Sequence, residues 1–114
     1  MPSRYHLRLS DPAKARGNDP GLAFRAVSAE GFAEELENAL REDSLFTRWK
    51  AAQPDPDAVD PGLGVTDANA VVSGAQQDLS IDLIATTSIP GAVLRHRLRL
   101  LAGHGWALHD VTAA

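Results

Sequence analysis

Residues 4–9 alternate apolar Tyr5, Leu7 and Leu9 with polar Arg4, His6 and Arg8. That period of two predicts a half-buried strand. Residues 10–21 carry Asp11-Pro12, Gly17-Asn18 and Asp19-Pro20-Gly21, all turn chemistry. Residues 22–27 then read as a second strand, with Leu22, Phe24 and Ala26 on one face and Arg25 on the other. Ser28 is placed as a helix N-cap, and Glu30 falls in the first turn, where the helix dipole favours negative charge. Phe32, Leu36 and Leu40 recur every four residues beside Ala29, Ala33 and Ala39, opposite Glu34, Glu35, Glu37 and Asn38. This is an amphipathic helix over 29–41. A shorter helix starting at Asp43 or Ser44 carries Leu45, Phe46, Trp49 and Ala52 and stops at Pro54.

Residues 54–62 combine proline, aspartate and glycine, which sustain neither a helix nor a ladder. The segment 54–67 is read as an exposed loop, too short to separate two domains. Residues 68–72 are a weaker strand, closed by a Ser73-Gly74 turn. Leu79, Ile81, Leu83 and Ala85 alternate with Ser80, Asp82, Ile84 and Thr86 in a strand over 79–86, and Ile84 suggests a partly covered outer face. Ser88 and Pro90 open a helix over 91–102. Val93, Leu94, Leu98, Leu100 and Leu101 form its apolar side, and Gly103 and Gly105 end it. In a closing strand, 106–111, Trp106, Leu108 and Asp110 alternate with Ala107, His109 and Val111.

Strand 22–27, helix 29–41, strands 68–72 and 79–86, helix 91–102 and strand 106–111 give the order βαββαβ. The expectation is a ferredoxin-like, split βαβ α+β sandwich of two layers. Both helices cover one face of an antiparallel or mixed sheet, and strand 4–9 is an added N-terminal strand.

The 114 residues fit one domain spanning 1–114. With 44% hydrophobic and 23% charged residues the chain has a globular composition. Aromatic content is only 5%, which leaves the core to Leu, Val, Ile and Ala around Phe24, Phe32, Phe46, Trp49 and Trp106. So light a core would gain from burial at a dimer interface. The absence of cysteine removes disulfides, thiolate metal sites and a cysteine nucleophile. No leader-like apolar run opens the sequence and no stretch approaches the ~20 apolar residues of a membrane span. The expectation is a cytoplasmic protein without membrane partners, of a composition like that of high-GC bacteria. A net charge of −4 and a pI near 5.4 argue against nucleic-acid binding.

Candidate chemistry fails on spacing. His6, His96, His104 and His109 include no i, i+4 pair for a metal. His104, and His109 beside Asp110, are the least poor acid–base candidates. Asp55, Asp57 and Asp60 only superficially resemble a calcium loop, since Pro56 and Pro61 break the spacing and the twelfth position is Thr66. No serine sits in a nucleophile elbow, Gly62-Leu63-Gly64 lacks the context of a dinucleotide loop, and the phosphate-loop lysine is missing. No cofactor, metal or catalytic residue is assigned.

The densest charge is Arg95-His96-Arg97-Leu98-Arg99, for which a solvated helix face is the ordinary explanation. The sharper reading joins Arg95, Arg97 and Arg99 with Arg4 and Arg8, and also Arg25, into a basic surface. It would face an acidic partner such as Glu34, Glu35 and Glu37 of a second subunit. The leading functional reading is therefore a non-catalytic protein-interaction or self-association module, a homodimer being one form. A small-molecule-sensing regulatory domain and a histidine-dependent enzyme are the alternatives.

Overall fold

A computed structural model describes residues 2–114. Four strands, β1 (Ser3–Leu9), β2 (Val71–Gln77), β3 (Ser80–Thr87) and β4 (Ala107–Ala113), form one antiparallel sheet in the order β2-β3-β1-β4. Three helices accompany it: α1 (Ala29–Arg41), α2 (Ser44–Ala51) and α3 (Gly91–Ala102). The alternation read in β1 and β3 is the burial pattern. Tyr5, Leu7 and Leu9 pair with Ala85, Leu83 and Ile81, and all six are buried. They share one core with the apolar stripes of α1 and α3, so the helices lie over one face. The other face presents Arg4, His6 and Arg8 beside Asp82, Ile84 and Thr86. Phe24 and Phe32 anchor the core edge-to-face, with ring centroids 4.9 Å apart. Among the described residues no helix is long and apolar enough to cross a membrane.

The segment 22–27 is not a strand. Leu22 and Phe24 are buried as their spacing requires, but their backbone joins no ladder. The Phe24 N–H donates to the Leu101 carbonyl at the end of α3 (2.9 Å). Those of Arg25 and Ala26 donate to the two carboxylate oxygens of Glu35 (2.9 and 2.7 Å). A side chain and a helix end thus satisfy donors that a neighbouring strand would otherwise meet. The N-terminal strand is correspondingly not an addition: β1 is one of the two central strands.

The Ser73-Gly74 turn is likewise absent, because β2 runs through both residues and the chain reverses at Asp78-Leu79, where Asp78 takes φ 56°. Leu79, assigned to a strand's apolar face, is 86% exposed at that reversal. Glycine at position 74 serves a close approach instead. A Cβ there would lie 2.4 Å from the Ala29 carbonyl oxygen, so only glycine lets the start of α1 rest on β2. The end of α1 secures the same strand. Glu37 accepts from the Val72 N–H (3.0 Å), and Arg41 Nε donates to the Ala70 carbonyl (2.6 Å).

Strand β4 departs from simple alternation through a bulge. Leu7 faces Leu108 but His6 faces Asp110, leaving His109 as the extra residue. Leu108 and Val111, not Leu108 and Asp110, therefore point to the helix side, since Val111 pairs with inward-facing Tyr5.

Candidate functional site

The bulge borders a sizeable cavity. Between α3 and the β1–β4 pair lies a half-open cleft of about 500 Å³. Its floor is Leu7 and Leu108 from the strands and Leu94 and Leu98 from the helix. Tyr5, Gly91 and Val111 stand toward one end, and Ala92, Trp106, Arg95 and Arg99 complete the lining. Helical periodicity places Arg95 and Arg99 one turn apart on α3, both exposed. The other polar groups are already engaged: the Tyr5 hydroxyl donates to the Ile89 carbonyl (3.3 Å) and Trp106 Nε1 to the Gly103 carbonyl (3.1 Å). No acidic residue lines the cleft.

The remaining nominated residues are placed elsewhere. Arg97 is 1% exposed and points inward, away from any surface. Its guanidinium donates to the carbonyls of Ala39 and Leu63 (both 3.2 Å) and of Val65, while Nε has no partner. Burial holds its proton affinity below the ordinary arginine range, against which the charge of Asp43 works. Through these carbonyls Arg97 ties the loop segment 61–65 and the end of α1 to α3. Glu35 and Glu37 spend their carboxylates on the backbone of the 22–27 segment and of β2, and Glu37 also approaches Arg41 (3.8 Å). Arg4, Arg25 and Glu34 are exposed.

Arg8 is bound to Asp82 on the open sheet face, Nε to Oδ1 at 2.7 Å and Nη2 to Oδ2 at 3.3 Å. That bond, with a smaller effect from the charge of His109, holds the Asp82 carboxyl below the usual range despite partial desolvation. His6, His109 and Asp110 line a smaller, half-open cavity of about 280 Å³ with this pair. Asp110 accepts from its neighbour's Val111 N–H (2.9 Å), and His104 is exposed in the turn after α3. Among the described residues no group of three or more His, Cys, Asp or Glu side chains is arranged to hold a metal. Within the 54–67 loop, Asp60 accepts from the Gly62 N–H (2.9 Å). At its end Asp67 accepts from Thr87 Oγ1 (2.9 Å), Ser88 N (3.0 Å) and Asn69 N (2.9 Å). The Ser88 bond is foremost in pulling the Asp67 carboxyl below its ordinary value.

His96, on α3, packs edge-on to Trp49 of α2 with ring centroids 4.4 Å apart, and its Nδ1 is buried without a partner. Burial first, then the charges of Arg97 and Arg99, lowers its pKa below the ordinary histidine value. The folded state thus disfavours the imidazolium, so the contribution is full above the unfolded pKa of about 6.5 and is lost as pH falls from there. Urea unfolding between pH 8 and 5 is expected to show stability declining below about pH 6.5, with His96→Phe flattening that part of the profile. An unchanged slope in the variant would assign the decline to another group.

In comparisons with known proteins, no family model, no curated protein and no solved structure matched this chain.

Proposed function

We propose that this chain is a non-catalytic binding domain that takes a small molecule in the α3–β4 cleft, the regulatory alternative among the readings of its sequence. The observation that carries the reading is the cleft itself. At about 500 Å³ it lies within the range of ligand sites, with a mostly apolar lining and few polar groups. Four of the nine charges on which a basic-to-acidic docking surface would depend, Arg8, Arg97, Glu35 and Glu37, are already engaged within the chain, which favours the cleft over that surface.

The scaffold is proposed to be ferredoxin-like. What supports this is the run β1-α1-β2-β3-α3-β4, a βαββαβ order once β1 is its first strand and α2 is an excursion after α1. Self-association is retained as the second reading because β4 lies at a sheet edge with Val111 47% exposed. Sedimentation at high micromolar concentration showing only monomer would remove it.

A thermal-shift screen of small metabolites tests the ligand reading. A true ligand at about 100 times its Kd adds about 2.7 kcal/mol to stability. The same hit is expected to lose its effect on Gly91→Leu, which fills the cleft. A Cβ at Gly91 meets only Tyr5, at 3.7 Å or more, so the plugged protein should fold. Hits that shift both proteins equally would contradict the reading.

A further inference from the structure

We infer that the cleft's ligand is an amphipathic carboxylate, an apolar body bearing a single anionic head held by Arg95 and Arg99; this rests on the cleft being a ligand site. The head follows from which polar groups are uncommitted. Tyr5 and Trp106 have already spent their protons on backbone carbonyls, so side-chain hydrogen-bond donation within the cleft is left to the two guanidinium groups. None of the ion pairs among the described residues involves Arg95 or Arg99; those pairs are Arg8–Asp82, Lys14–Asp11 and Arg41–Glu37. Two cations outside these ion pairs thus line a largely apolar cleft in a chain of net charge −4, and Arg99 also borders a second cavity that Asp19 lines. Complementarity requires an anion, and guanidinium groups recognise carboxylates through charge-assisted hydrogen bonds.

The body follows from the floor. Leu7, Leu94, Leu98 and Leu108 offer no hydrogen-bonding side-chain groups, so polar atoms buried against them would be desolvated without compensation. A hydrocarbon chain or a ring system without hydroxyls fits. A sugar or a nucleoside does not.

Titration calorimetry of the full chain with octanoate, 1-octanol and octylammonium tests the inference, because the probes share a tail and differ in the head. Octanoate is expected to bind about tenfold more tightly than octanol, the scale of one charge-assisted hydrogen bond, with octylammonium weakest. Raising the salt from about 0.05 to about 0.5 M should weaken octanoate and leave octanol unchanged, as partly exposed charges are screened. Arg95→Gln with Arg99→Gln, both at exposed positions, should bring octanoate down to the affinity of octanol. Equal binding of octanoate and octanol by the unaltered chain would overturn the anionic head while leaving the cleft a ligand site. Failure of all three probes to bind would overturn both.

Discussion

Replacing Arg97 by alanine is expected to lower folding stability by about 3–5 kcal/mol, from stranded buried carbonyls at about 1–3 kcal/mol each and the cavity left by a large side chain. Against a typical total of about 5–15 kcal/mol this is the most damaging single change foreseen in the chain. The guanidinium is buried without a carboxylate, and carbonyls alone compensate it. One of them, Ala39, belongs to the last turn of α1, where the helix dipole favours a cation. Truncation leaves that carbonyl and those of Leu63 and Val65 to find new donors and opens a cavity where the side chain lay. Arg97→Lys should lose less, about 2 kcal/mol, because one ammonium point charge cannot span three separated acceptors. Urea unfolding at pH 7 with an unchanged m-value measures both. A loss within about 0.5 kcal/mol for the alanine variant, the scale of an ordinary surface change, would contradict the role assigned to Arg97.

The second large effect is expected at Gly74. A methyl group there would sit 2.4 Å from the Ala29 carbonyl oxygen, 3.1 Å from its carbon and 3.2 Å from Leu83 Cδ2. Two of those atoms are backbone, so the start of α1 must lift off β2. Overpacking of this kind costs about 1–3 kcal/mol, of which the stiffer unfolded chain returns at most about 1. Gly74→Ala should therefore lower Tm by several degrees, at about 4–8 °C for each kcal/mol. Gly91→Ala serves as the control, since its methyl would meet Tyr5 at ordinary contact distance. Equal melting temperatures for the two variants would show that α1 does not need glycine beneath it.

What was legible in the sequence was periodicity. The strand character of 4–9 and of 80–86 and the helix 29–41 follow from runs whose apolar spacing matches their burial, and the helix 91–102 follows from an apolar stripe that also contains Arg97. Less legible were features settled by distant partners. The alternation of Leu22 and Phe24 reports burial truthfully, but Glu35, nine or ten residues later, takes the donors that a ladder would have used. Gly74 carries the residue type of a turn and the position of a helix–strand contact. Arg97 reads as polar by type, yet it lies four residues after Val93 and four before Leu101, in the middle of the buried stripe of α3. That placement was the available signal that it is not a surface charge. The cleft had no local signature: it is bordered by a one-residue bulge at His109, which alternation alone does not reveal. Arg95 and Arg99 stand out in the sequence only as members of the basic cluster 95–99, and nothing local marks their apolar surroundings.

The most direct test of the account is methyl chemical-shift mapping of the isotope-labelled chain titrated with octanoate. The account predicts saturable shifts at Leu94, Leu98, Leu108 and Val111, with none at Ile84 on the open sheet face or at Val71 and Leu79 around the far edge strand. Shifts centred on those last three methyl groups, or spread evenly over the molecule without saturation, would contradict it.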